Sequence, residues 1–254
     1  TFLPKQVVTR AEMCKMICVA LNGGVDPVLD TGTAVFSDTK GHWAAKYINY
    51  CYTKGIVSGD SGKGGVFRPD AAVTALEAAK MMLVALGYNS TVAGFTGANW
   101  ANNVAMAANE KNLFDGIGAL DIMAGLSRDN AAQLIYNGIN ATMVEYENTL
   151  TMDNGQLVTV PKIKDLSSTI LTAKFKVNKI VGVLMSNSTF GLNNTKTAQK
   201  GYSTVNVRSV DGYTVAANIP ASAAVKVIGD VVFKVDANAD LLGQEVSFYA
   251  KKSG

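Results

Sequence analysis

The 254-residue chain has little of what membrane-spanning or catalytic schemes require. No stretch approaches the roughly 18 apolar residues of a membrane-spanning helix, and no signal peptide is present. If the protein is exported, its targeting segment has been removed. His42 is the single histidine, so any Ser-His-Asp or Cys-His scheme would run through it, and no nucleophile elbow accompanies it. The three cysteines, Cys14, Cys18 and Cys51, are an odd number, which excludes a closed disulfide framework. Cys14 and Cys18 stand four residues apart, but with no second Cys or His pair beside them they read as a core seam rather than a metal site.

Charge is equally unpromising for polyanion binding. Residues 1–150 hold 11 Lys and Arg against 13 Asp and Glu, and residues 151–254 hold 12 against 7. Neither half has the basic stripe with interleaved aromatics of a nucleic-acid site. The Gly59–Gly65 stretch lacks the spacer of a phosphate loop and the acidic series of a calcium loop. Residues 151–254 contain one Glu, Glu245, and no motif recommends a carboxylate pair for glycoside cleavage. The sequence therefore calls for no enzyme, no cofactor and no metal in this segment.

What is present is repetition. Shifting residues 1–21 by 65 places superposes Phe2 on Phe67, Pro4 on Pro69, Val8 on Val73, Thr9 on Thr74, Glu12 on Glu77 and Lys15 on Lys80, without a gap. A third, more worn copy follows: Trp43-Ala44 matches Trp100-Ala101, Lys54 matches Lys111, and Thr74 matches Ser127. Thr1 falls inside the first unit, so the Trp-bearing half of that unit is expected upstream. With 48% hydrophobic residues the chain can bury a sizeable core, and it reads as two domains.

Apolar residues recur at helical spacing over 9–22 and 74–87, and each unit reads as two helices joined by a glycine-rich loop. The first helix begins near Trp43 or Trp100 and ends at Lys54-Gly55 or Lys111-Asn112; the second begins at Thr9, Thr74 or Ser127. After about Asn140 the helical period stops. Candidate strands are 156–160, 169–177, 179–186, 202–208, 213–217, 224–227, 231–235 and 245–251, with turns at Asp153-Asn154-Gly155, Asp211-Gly212 and Gly229-Asp230. Such a count suggests a small β-sandwich or barrel. The predicted fold is α+β and multi-domain: 1–24 the second half of repeat 1, 34–90 repeat 2, 91–145 a degenerate repeat 3, and 146–254 an all-β domain.

Thr9-x-x-Glu12 and Thr74-x-x-Glu77 fit the capping box and so have a structural duty. Arg10 has no such duty, since a cation at the first helical position opposes the helix dipole. It either holds an anion, together with the helix N-terminus, or pairs with an acidic neighbour. Trp43 and Trp100 offer sugar-stacking platforms or serve as wedges between lobes. Gly55 and Gly59 supply unusual backbone angles, and Gly59 would also let a ligand approach the main chain.

These spaced motifs resemble the S-layer homology family, whose modules anchor bacterial surface proteins to the cell wall. The family pattern of an aromatic and Asp, a Trp, G-I-x-x-G, F-x-P and T-R-A-E is met almost throughout at Phe36 to Lys80, and in part in the other two units. The resemblance implies a compact three-lobed helical assembly that binds secondary cell-wall polysaccharide, often through a pyruvate ketal. Its carboxylate is the group that Arg10 and Arg128 would grip, and Trp43 and Trp100 would lie near the groove. Unit two has Ala75 at the arginine position, so if the arginine is the anion clamp its groove would be crippled or silent. The implied location is extracellular, at the bacterial cell wall or S-layer, with no membrane insertion. The alternative is a lattice protein whose repeats have lost glycan binding and whose partners are other surface-layer subunits. A third assigns the β domain to recognition of a ligand or partner, and an enzyme beyond Gly254 would make this piece its tether.

Overall fold

The computed structural model describes residues 2–30, 32–60, 62–118, 120–221, 223 and 225–251. Two compact units divide the chain, Thr1–Phe175 and Lys176–Gly254. The fold is α+β: six α-helices and two antiparallel sheets among the described residues.

Unit 1 contains α1 (Arg10–Leu21), α2 (Ala45–Thr53), α3 (Ala75–Ala85), α4 (Trp100–Glu110) and α5 (Arg128–Asn140). A hairpin of β1 (Thr142–Asp153) and β2 (Gln156–Thr169) follows, then α6 (Ile170–Phe175). Helix starts follow the local chemistry. Thr9 Oγ1 accepts the Glu12 N–H at 3.1 Å while Glu12 Oε2 accepts the Thr9 N–H at 2.9 Å; Thr74 and Glu77 repeat this at 3.1 and 3.0 Å. At α5, Ser127 Oγ accepts the Asn130 N–H at 3.3 Å, and Asn130 gives no bond back. Gly55 (φ 72°) and Asn112 (φ 55°) take the left-handed angle just beyond α2 and α4, as expected of helix C-caps.

The residues just before these caps close a ring. Val8 N–H donates to Leu126 O (2.8 Å), Leu126 N–H to Val73 O (2.9 Å), and Val73 N–H to Val8 O (3.0 Å), with all three side chains buried. Around this ring the first two N–H groups of each helix find carbonyls in another repeat: Arg10 and Ala11 on Ala71 and Pro69, Ala75 and Leu76 on Ala124 and Ile122, Arg128 and Asp129 on Gln6 and Pro4. Three helix starts thus meet in three equivalent corners. Met13, Ile17, Leu76, Met82, Leu83 and Leu134 fill the centre, α2 packs on α1, and α4 packs on α3. Cys14, Cys18 and Cys51 are buried free thiols on the α1–α2 seam, with Cys18 Sγ 3.7 Å from Cys51 Sγ.

Unit 2 is one sheet in the order β5-β4-β3-β6: β3 (Val177–Ser186), β4 (Ser203–Val210), β5 (Gly229–Phe233) and β6 (Glu245–Lys251), every pair antiparallel. Its core is Ile180, Leu184, Val205, Val207 and Val210, with Ile219 and Ala223. Where the sequence suggested a sandwich or barrel of about eight strands, the described residues after Asn140 form six: the hairpin β1–β2, whose second strand covers the expected 156–160, and the four of this unit.

The differences have local causes. The 169–177 stretch is largely helix, because Thr169 Oγ1 accepts the Thr172 N–H at 3.1 Å and Ile170 is buried with unit 1. Tyr213 makes a single bridge to Val210 before the 3-10 turn Ala216–Asn218. No strand forms over the described part of 224–227, and Ala224 lies outside the described residues. The hairpin β1–β2, whose first strand went unread, is counted with unit 1.

Candidate functional site

Two grooves open at two of the three corners. Groove I, about 670 Å³, is lined by Arg10, Glu77, Lys80 and Trp100, by the turn Gly55–Asp60, and by Ser90, Thr91 and Thr96. Groove II, about 700 Å³, is lined by Arg128, Glu12, Lys15 and Trp43, with Met16, Val19, Ile135, Tyr136 and Ile139. The first four residues of each set correspond under the internal repeat. Each groove therefore draws its Arg from one unit, its Glu and Lys from the next, and its Trp from the one after that.

In groove I the Arg10 side chain, 12% exposed, donates from Nη1 to Glu77 Oε1 (2.7 Å) and from Nε to Phe67 O (3.0 Å). Its guanidinium lies 4.7 Å from the Phe67 ring centroid. Glu77 has two duties, since its other oxygen completes the Thr74 capping box. Lys80 Nζ sits 5.5 Å from the Trp100 centroid, and burial, with Arg10's charge acting the same way, holds its pKa below the ordinary lysine value against the pull of Glu77. Arg68, at φ 58°, joins the groove and pairs with Asp60 at 2.9 Å.

Groove II repeats the design more loosely. Arg128 Nη1 reaches Glu12 Oε1 at 3.3 Å, and its guanidinium stands 5.7 Å from the Phe2 centroid. Phe2 is the repeat counterpart of Phe67. Lys15 pairs with Asp26 at 3.3 Å, and the Tyr47 hydroxyl, ahead of Lys15, holds the Asp26 carboxyl below the usual carboxylate range against its desolvation. Trp43 is 54% exposed and presents its indole to the groove.

The third corner has changed as a set. Ala75 stands for the arginine, Leu120 for the phenylalanine, Asn130 for the glutamate and Gln133 for the lysine. An arginine left there without its carboxylate would be a half-buried unpaired charge, which is costly, so the simultaneous absence of both partners is physically coherent.

Arg10 and Arg128 thus pair with acidic neighbours and also line clefts. The N-termini of α1, α3 and α5, in contrast, have their first three N–H groups taken; those of α1 go to Ala71 O, Pro69 O and Thr9 Oγ1. Gly59 (φ 69°) lines groove I, and a Cβ there would meet the Phe36 ring at 2.3 Å, so packing alone demands glycine. His42 is architectural: Nδ1 accepts the Ala44 N–H at 3.1 Å and Nε2 faces Asp70 at 3.2 Å. Sequence reasoning assigned Glu12 and Glu77 to capping alone and passed over Lys15 and Lys80; the Glu-x-x-Lys spacing shared by both copies was the available signal.

The family model of the S-layer homology domain matches residues 35–79, which span α2 and the start of α3. The chain thus contains an S-layer homology domain, a non-catalytic anchoring module of cell-surface and S-layer proteins. No curated protein matches the chain. No described helix is long and apolar enough to cross a membrane.

Proposed function

We propose that unit 1 anchors an exported bacterial surface protein to the cell wall by holding an anionic, pyruvylated secondary cell-wall polysaccharide in grooves I and II. The observation that carries this reading is the recurrence of one Arg, Glu, Lys, Trp and Phe set at two corners, with the Arg, Glu, Lys and Phe positions replaced together at the third. A pair that served the fold alone would need neither the lysine nor the tryptophan.

In each groove the guanidinium keeps donors beyond its glutamate bond for a ketal carboxylate, the ammonium adds a second positive charge, and the indole faces the apolar side of a pyranose. At groove I the Gly59 turn forms a further wall. The corner at Ala75 is silent. Under this reading the helix pairs form a three-lobed repeat assembly bounded at 1–24, 34–90 and 91–145, and the residues beyond begin the exposed region.

The test is retention on purified cell walls, with and without the ketal. Gln at the third helical position still closes a capping box, so Arg10→Gln/Glu77→Gln and Arg128→Gln/Glu12→Gln remove charge while leaving the helix starts intact. Each double variant is expected to lower retention, added salt to weaken it further, and ketal removal to abolish it. Wild-type retention by both variants, with unchanged unfolding midpoints, would refute the mechanism.

A further inference from the structure

All three cysteines of the chain meet at one contact, the seam between α1 and α2. Cys18 Sγ lies 3.7 Å from Cys51 Sγ, though the two residues are 33 apart in sequence. Cys18 Sγ also faces Tyr47 O of α2 at 3.7 Å, and Cys51 Sγ faces Cys14 O of α1 at 3.8 Å, so each of these two thiols points from its own helix at the other. All three cysteines are buried.

The internal repeat shows that packing does not call for sulfur at these places. The shift of 65 lays Cys14 and Cys18 on Ala79 and Leu83 of α3, and the shift of 57 lays Cys51 on Ala108 of α4. Ala79, Leu83 and Ala108 are just as buried, so the α3–α4 seam closes with plain aliphatic side chains where the α1–α2 seam has thiols. Packing accounts for small apolar residues; it does not account for thiols on both sides of one contact and nowhere else in the chain. No cluster of three or more His, Cys, Asp or Glu side chains among the described residues is arranged to hold a metal ion, which leaves sulfur–sulfur chemistry.

We propose that Cys18 and Cys51 are a latent disulfide, which fastens α1 to α2 when the seam opens in the presence of a small disulfide oxidant. One thiolate attacks the small disulfide and releases its first thiol; the second attacks the protein sulfur of the mixed disulfide, the Cys18–Cys51 bond forms, and the second small thiol leaves. The two cysteine protons end on the two released thiols, and the small disulfide takes up the two electrons. The sulfurs must approach from 3.7 Å to about 2.05 Å, within reach of side-chain rotation. While the seam is closed the reaction is held off. The oxidant has no access, and the Cys14 thiol, then that of Cys18, then burial push the Cys51 pKa well above its ordinary value, away from the reactive thiolate. Outside the cell such bonds persist once made. The bond would tie together elements of both grooves: α1 brings Arg10 to groove I and Glu12 and Lys15 to groove II, while Trp43 of groove II and the Gly55–Asp60 turn of groove I flank α2. The proposal is independent of what the grooves hold.

The experiment incubates the reduced full chain with oxidised glutathione, with and without urea below the unfolding midpoint, then counts thiols by alkylation under denaturing conditions and maps the peptides. Titratable thiols should fall from three to one, with Cys14 alkylated and Cys18 joined to Cys51. Urea should speed the loss about tenfold or more by opening the seam. The oxidised protein should unfold about 5–15 °C higher than the reduced one and lose that gain on reduction. Cys18→Leu/Cys51→Ala, which copies the α3–α4 seam, should fold and show neither the thiol loss nor the shift, whereas Cys14→Ala should show both. Three thiols remaining in urea, a bond mapped to Cys14, stable glutathione adducts, a rate indifferent to urea, or a bond that leaves the midpoint unchanged or lowers it would each overturn the inference.

Discussion

The Arg10–Glu77 pair invites a double-mutant cycle, with Arg10→Ala, Glu77→Ala and the double variant compared with wild type. The contact is 2.7 Å, with the arginine side chain 12% exposed and the glutamate 31%. Two unit charges about 4 Å apart attract by about 4 kcal/mol at an effective dielectric constant near 20, an upper bound. Side-chain ordering and desolvation subtract from that, and hydrogen bonds to charged groups retain about 1.5–3 kcal/mol, whereas exposed pairs retain about 0.2–1 kcal/mol. A partly buried pair should fall between, at about 1–2 kcal/mol of coupling. The looser Arg128–Glu12 pair, 3.3 Å apart and 35% and 31% exposed, should give about 0.5 kcal/mol or less. Glu77→Ala alone also loses the reciprocal capping bond, worth roughly 0.5–1 kcal/mol, but that loss cancels from the coupling. Urea unfolding followed by tryptophan fluorescence is a clean assay, because both tryptophans, Trp43 and Trp100, lie in unit 1. Coupling at Arg10–Glu77 no larger than at Arg128–Glu12 would refute the claim that the tighter pair is a structural unit.

The same assay should find Ala75→Arg destabilising by about 1–3 kcal/mol, as an unpaired charge entering a buried position, with Asn130→Glu added to it recovering much of the loss; no recovery would mean the third corner is not equivalent to the others. Thr74→Ala should cost about 1 kcal/mol, and Ser127→Ala less, since its bond is longer and has no reciprocal partner. Tyr47 is buried and donates to Asp26, and its pKa is raised to about 12, by desolvation first and the Asp26 bond second. A raised folded-state value stabilises fully below the unfolded value near 10 and loses that contribution as pH climbs through about 12. Desolvation also delays the ionisation of Tyr88, so ultraviolet titration should show late-ionising tyrosines of which only part, that of Tyr47, moves earlier in Asp26→Asn, and an unmoved titration would count against the bond.

Helix starts were legible because a capping box is written within four residues. Thr9, Glu12, Thr74 and Glu77 each find their first partner inside that window. The second duty of Glu77 was hidden because its other partner, Arg10, is 67 residues away. The strand from Thr142 was missed because it follows a helix directly and most of it is exposed, leaving little of the one-sided burial that makes an alternating pattern decisive. Residues 169–177 were read as a strand from their Thr, Ile and Val content, but the Thr169–Thr172 cap and the burial of Ile170 override β-propensity. Ala75 was seen as a missing arginine; that Asn130, Gln133 and Leu120 are missing with it became visible only once the corner was assembled.

The mutual hydrogen bonding of Val8, Leu126 and Val73 gives unit 1 a topology unlike that of a linear repeat array. A row of stacked modules has two ends and can be trimmed or fray from either. A closed circuit has no terminal member, so removing any one module strands a donor and an acceptor on the other two. Shortening from either end should therefore collapse the whole unit at once rather than shed it stepwise, and any drift of one copy is restrained by its neighbours.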